Sequence, residues 1–237
     1  MRKSFNLDKK VLDSATFLIH GVYGAGKTHL LGDFLSHEST HGPVKFINVR
    51  GEDGMLSLAG AGLGDKGETV ETVKDLEEVL EELRGRGYRA VGIDSFKALC
   101  RVVMEEVNGG RMPEKSDYIP VHWVMERLAK RLRGVATYVM AVCPSDKSVD
   151  HVTGRTAVTP DLPGREAWGS AGWFDFVGYL TAEVVGLSLV KRELSFAPAL
   201  NVVTRARLPK QLIQTIPVPN NGGGWVIIVQ RINQAMA

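Results

Sequence analysis

Gly21, Gly26, Lys27 and Thr28 stand in the order G-x-x-x-x-G-K-[ST] within the stretch GVYGAGKT. Glycines at those places let successive backbone N–H groups converge on phosphate oxygens, a lysine adds positive charge toward the terminal phosphates, and a threonine hydroxyl is a ligand for Mg²⁺. Gly21, Val22, Tyr23, Gly24, Ala25, Gly26, Lys27, Thr28 and His29 are therefore the candidate binding residues for a nucleotide's phosphates, with Mg²⁺ as the companion ion. Such a site needs an acid at a neighbouring strand end. Asp94, in GIDSF, follows an apolar run and suits the Mg²⁺ shell beside Thr28, although an aspartate before a serine is also a good cap for a following helix. Hydrolysis requires a further group to orient or deprotonate water, and Glu52 is the candidate, with Asp53 second to it. His20, just before the glycine loop, reads as a structural histidine. No Cys/His cluster shows metal-ligand spacing, and no Ser/His/Asp constellation is readable from residue order.

These residues need elements to position them. ATFLIH is a short apolar run leading into the glycine loop, and helix-forming residues follow from Lys27 to Phe34: strand, loop, helix. VKFINV reads as a second strand, and the glycine-rich connection from Arg50 to Leu63 carries Glu52 and Asp53. Val73, Leu76, Val79, Leu80 and Leu83 recur at helical spacing with a solvated acidic face around them. RAVGIDSF is a third strand with a helix after it through Val107. Val121, Val124, Met125, Leu128 and Leu132 mark another helix, with Arg127, Lys130, Arg131 and Arg133 on its polar side. ATYVMAVC is a fourth strand, and a polar stretch from Pro144 to Gly164 follows, long enough to be functional or mobile. FDFVGYLTAE, LSLVKRELSF, NVVTRAR, KQLIQTI and WVIIVQRI then read as successive short strands.

The predicted fold class is α/β, a P-loop core with a mostly parallel central sheet flanked by helices and a β-rich C-terminal part. At 237 residues with 44% hydrophobic content, the chain suits one domain over 1–237. Within it, 1–143 is the nucleotide-binding βα core, 144–174 the polar loop with a short helix, and 175–237 the β-rich part. A formal net charge of +2 does not by itself call for a polyanion. From Val184 onward, however, Lys191, Arg192, Arg205, Arg207, Lys210 and Arg231 face a single acid, Glu193, a bias that favours nucleic-acid phosphates or an acidic neighbouring subunit. The two cysteines, Cys100 and Cys143, sit among apolar residues as reduced core thiols do, which points to the cytoplasm, and no segment reads as a membrane span, anchor or secretion signal.

The order GVYGAGKT, EDGMLSL, VETVKDLEEVLEEL, AVGIDSF resembles the small RecA-like ATPases of bacteriophages, a group that includes single-strand annealing proteins. RecA-like ATPases place the catalytic glutamate after the strand that follows the P-loop helix, and FINVRGEDG is similar to that arrangement. The resemblance implies an ATPase acting on single-stranded DNA in recombination, as a homo-oligomeric ring or filament, in the cytoplasm of the host if phage-encoded. It also implies that Ser145, in AVCPSDK, stands where the family has a polar sensor, often histidine, two residues before a lysine. TPDLPGREAW with FDFVGYL resembles the segment that re-enters the sheet. TRARLPKQL lies where the family carries paired basic residues, so Arg205 and Arg207 are candidates to reach the nucleotide of a neighbouring subunit; alternating arginines also protect a solvated strand edge. The loop with Lys147, His151 and Arg155 corresponds to one that faces single-stranded DNA. Trp168 and Trp173 could stack on bases, but aromatics flanking FDFVGYL fit a core as well. Two other functions use the same loop: a small-molecule phosphotransferase, and an ATP-dependent assembly or packaging partner with little hydrolysis.

Overall fold

The computed structural model describes residues 14–52, 62–149, 154, 156–185, 189–197, 201–207 and 214–236. Asp53, His151, Arg155 and Lys210 lie outside the described residues. The strands are β1 (Ala15–Gly21), β2 (Val44–Val49), β3 (Gly67–Val70), β4 (Tyr88–Asp94), β5 (Ala136–Val149), β6 (Thr156–Pro160), β7 (Phe176–Val185), β8 (Leu189–Ser195), β9 (Arg205–Ala206) and β10 (Ile216–Pro217). The helices are α1 (Lys27–Glu38), α2 (Val73–Leu83), α3 (Phe96–Asn108), α4 (Tyr118–Leu132), the short α5 (Glu166–Gly169) and α6 (Gly224–Met236).

All seven residues of β1 are buried, which is why it reads as a continuous apolar run rather than an alternating one: helices cover both of its faces. The sheet runs β10-β8-β7-β1-β5-β4-β2-β3, and its strands from β7 to β3 are parallel to one another. β8 and β10 continue it antiparallel. One face packs against α2, α3 and α4 through Ile47, Val91, Ile93, Leu76, Leu99 and Leu128. The other holds Phe17, Phe46, Leu31, Phe34, Trp225 and Ile228, under α1 and α6. Gly21 pairs with Pro144, Asp94 with Val142, and Asn48 with Asp94. Those residues therefore meet at the carboxyl edge of the parallel strands, where open α/β sheets hold ligands.

Three expectations are corrected. WVIIVQRI is not a strand but lies within α6, with Trp225, Ile228 and Ile232 buried at helical spacing. A short apolar run does not distinguish the two periods. What decides it is tertiary: Asp33 of α1 accepts from the Gly223 and Trp225 N–H groups at 2.7 Å each, capping α6 from outside its own sequence. Trp225 then stacks edge-on against Phe34 and donates to Glu38 at 2.7 Å. The C-terminal part is accordingly less strand-rich than its composition predicts.

Secondly, Pro144 to Gly164 is not chiefly loop. β5 runs on to Val149 as a single 14-residue strand, and β6 returns along it antiparallel, from Ser145 opposite Pro160 to Val149 opposite Thr156. Polar residues form this hairpin because its ladder needs backbone groups, not apolar side chains. Thirdly, the acidic face of α2 is not simply solvated. Glu77 pairs with Arg127 at 3.1 Å and Arg131 at 3.0 Å, so the basic face of α4 is its partner.

Candidate nucleotide-binding site

Gly21 ends β1 hard against β7, and a side chain there would collide with the Leu180 carbonyl; only glycine permits so close an approach. The loop then turns into α1 at Gly26, whose φ of 92° is left-handed. No side chain caps α1, whereas α2 has a Thr72–Asp75 capping box and α3 is capped by Ser95. The first-turn N–H groups of α1 thus remain available to an anion at its positive dipole end. Lys27 Nζ donates to the Gly21 and Val22 carbonyls at 2.9 Å each, which holds its ammonium over the loop. Burial lowers the Lys27 pKa, and the nearby Asp94 and Glu52 carboxylates oppose that shift.

Thr28 Oγ1 donates to Asp94 Oδ2 at 2.8 Å. Asp94 is 6% exposed, and burial raises its pKa, with the charge of Glu52 adding to the rise and the Thr28 bond and Lys27 opposing it. It does not cap α3: Ser95 does, accepting from the Ala98 N–H at 3.2 Å, which leaves the Asp94 carboxylate to face Thr28. The same Ser95 hydroxyl donates to Glu52 Oε1 at 2.6 Å. One serine therefore starts a helix and orients the carboxylate read from sequence as the water-activating group. The Asp94–Ser95 peptide is cis.

Asn48 escaped the sequence reading. Its Nδ2 donates to the Glu52 carbonyl at 3.2 Å, while its Oδ1 is buried with no hydrogen-bond partner among the described residues. It lies beside Asp94 in register; Asn48 follows Phe46, packed under α1, by two residues, and Asp94 follows Gly92, whose Cβ would meet Leu31 and Leu35 of α1, so both side chains point to the Thr28 side of the sheet. A hydroxyl, a carboxylate and an orphaned amide oxygen form a hard oxygen set that fits Mg²⁺, an ion that keeps several of its waters and needs acceptors for them.

His20 is fully buried, with Nε2 2.7 Å from the Val203 carbonyl and Nδ1 2.8 Å from Ser145 Oγ. The carbonyl can only accept, so Nε2 carries the proton and the Ser145 hydroxyl donates to Nδ1. Burial drives its pKa down to about 4. The histidine is structural, as its position suggested, and it holds Ser145 at the edge of the site. Lys97, in the first turn of α3, pairs with Asp161, whose N–H donates to the Pro144 carbonyl at 2.8 Å; this ties the end of β6 to the site.

Arg205 and Arg207 lie away from this centre. Arg205 registers with Val177, which is level with Leu18, three residues before Gly21. Their side chains reach the Ala171 and Gly172 carbonyls at 2.7 and 3.2 Å, and Arg207 also reaches Asp175 at 3.4 Å. Neither is brought to Lys27 of its own chain. Trp173 is buried at 7% exposure beside Phe96, as a core residue, while Trp168 is 39% exposed. A second group missed from sequence is His37, Glu38 and His41, an H-E-x-x-H run whose ligand atoms come within 4.8 Å of one another. Its glutamate is committed elsewhere, to Arg89 at 2.6 Å and to Trp225, so it is a structural carboxylate and not a free base.

The sequence pattern of the family described as AAA domain matches residues 13–208. No curated protein matches the chain. Among solved structures, a KaiC-like protein of the hyperthermophilic archaeon Pyrococcus horikoshii OT3 is similar over 88% of this chain and 87% of its own, with a TM-score of 0.53 and 16% identity. The shared architecture is the RecA-like P-loop fold. Among the described residues no helix is long and apolar enough to cross a membrane.

Proposed function

Because this chain belongs to the AAA domain family, we propose that it is a Mg²⁺-dependent ATPase of the RecA-like kind that couples hydrolysis to single-stranded DNA, in annealing or strand exchange of the phage type. The observation that carries the ATPase reading is the convergence of Lys27, the Thr28–Asp94 pair and the Ser95–Glu52 pair at one end of the sheet. Bound Mg²⁺ would be held by Thr28 and Asp94 and would offset charge on the phosphates. Glu52, aimed by Ser95 and held at its backbone by Asn48, takes the proton of the attacking water. Lys27 and the first-turn N–H groups of α1 stabilise negative charge on the phosphoryl group in flight.

The DNA part of the reading is supported by β5. The strand that lies beside Gly21 at Pro144 continues without interruption to the exposed Lys147 and Val149, so the nucleotide site and an exposed lysine share one strand. In an oligomer, Arg205 and Arg207 would serve the site of another copy, since they do not serve their own. Steady-state ATP hydrolysis measured with and without single-stranded DNA, for the wild type and K27A, tests the whole reading. Turnover that DNA accelerates and K27A abolishes is the expected result; turnover indifferent to DNA removes the recombination role, and phosphate transfer to a metabolite replaces it with a phosphotransferase.

A further inference from the structure

A triphosphate seated on Gly21–Thr28 with its last phosphate toward Asp94 and Glu52 lies with that end over β4 and β2, on one side of β1. Its nucleoside end must then run the other way, over β7 and β8. Arg192 stands there. It is opposite Ala182 on β7, two residues beyond Leu180, which is level with Gly21. Its Nε donates to the Ala25 carbonyl at 3.1 Å, and its guanidinium sits against the loop at Gly26, where an added Cβ would come within 2.6 Å of Nε. Nη1 donates to Asn220 Oδ1, and the Asn220 amide in turn donates to the Val190 carbonyl at 2.7 Å.

Two features separate Arg192 from an ordinary surface arginine. Among the described residues it has no carboxylate partner: the adjacent Glu193 is paired with Lys191 at 2.9 Å. Its partners, Ala25 and Asn220, are neutral acceptors that fix the plane of the guanidinium without cancelling its charge. A planar cation held rigid and partly exposed is a surface on which an aromatic base stacks.

We propose that Arg192 is the nucleoside-contacting residue of this site, its guanidinium plane packed on the base of the bound nucleotide, and that Asn220 positions it. The proposal rests on the nucleotide reading above and deepens it. It separates two halves of the ligand: Lys27 and the loop take the phosphates, Arg192 takes the base.

Calorimetric titration with Mg²⁺-ATP and with Mg²⁺-tripolyphosphate, which has the phosphates and no nucleoside, tests it on the wild type, R192A, R192K and N220A. The wild type binds ATP tighter than tripolyphosphate. R192A and R192K lose about tenfold in ATP affinity and stay within about twofold for tripolyphosphate, because lysine keeps the charge but not the plane. N220A loses ATP affinity in the same selective way, to a smaller extent. Equal loss for both ligands makes Arg192 a prop of the phosphate loop and overturns the proposal, as does no loss for either, or a wild type that binds ATP no tighter than tripolyphosphate. If R192A does not melt cooperatively, R192K and N220A decide. A wild type that binds neither ligand defeats the nucleotide reading itself, which is a different failure.

Discussion

Thr28 and Asp94 are joined by a hydroxyl–carboxylate hydrogen bond of 2.8 Å that ties the first turn of α1 to the last residue of β4. The pair sets a hydroxyl and a carboxylate oxygen side by side, the ligand types a hard cation takes. D94N removes the charge and keeps the shape, so hydrolysis falls about 10²- to 10³-fold and the Mg²⁺ concentration for half-maximal rate rises. T28S, which keeps the hydroxyl, remains active. Steady-state rates across a Mg²⁺ titration, with a chelator as the zero point, check both.

In the proposed mechanism Glu52 acts on the water and not on the nucleotide. E52Q therefore lowers kcat about 10²- to 10⁴-fold while ATP affinity stays within about threefold. Unchanged turnover would remove Glu52 from the mechanism. S95A loses both the α3 cap, about 1 kcal/mol of stability, and the aim of Glu52, so its kcat falls by a smaller factor than that of E52Q. Single-turnover hydrolysis paired with equilibrium ATP binding distinguishes the two effects.

His20 makes stability depend on pH in a stated direction. Its pKa is 6.5 unfolded and about 4 in the buried pair with Val203 and Ser145, so between those values the unfolded chain holds more protons. The contribution is whole above about pH 6.5 and is lost as pH falls toward 4, about 3 kcal/mol in all. Urea unfolding at pH 7.5 and pH 5 measures it, and H20Q should flatten the difference between the two.

Asp33 is worth more than a surface carboxylate because it supplies the cap of α6 from another helix. D33A leaves the Gly223 and Trp225 N–H groups at the start of α6 without their acceptor and costs about 1–2 kcal/mol, while D33N costs less. Equal denaturation midpoints for D33A and the wild type would show that α6 is held by Trp225 alone.

Lys147 gives the hairpin a distinct test. If the hairpin tracks single-stranded DNA, K147A weakens binding uniformly across sequences and reduces the slope of log K against log salt by about 0.7, while DNA-free hydrolysis is unchanged. Fluorescence anisotropy at several salt concentrations reads the slope.

Much of the site was legible because its chemistry is local. The loop from Gly21 to Thr28 is contiguous, and Asp94 announces itself at the end of an apolar strand. α2 was legible down to its ends, since its five buried residues repeat at a single period. What stayed hidden depends on partners far along the chain. Arg192 looked like one base among several in a basic region, and only the register of β8 against β7 sets it on the glycine loop. α6 looked like a strand because its cap, Asp33, is almost two hundred residues upstream. Asn48 carries no motif at all; it is found by its unsatisfied oxygen.

β1 precedes every other described strand in the chain, yet it is in the middle of the finished sheet. Its hydrogen-bonding neighbours, β5 and β7, lie more than a hundred residues downstream, and Phe17 is closed over by Trp225 of α6. At a translation rate of about 5–20 residues per second, on the order of ten seconds or more separates the two aromatics. Until β5 and β7 emerge the nascent chain presents an unpaired apolar strand, and the Phe17 side stays uncovered until α6 follows, so the protein should depend on chaperones while it is on the ribosome. Fragments cut short of α6 should aggregate rather than fold.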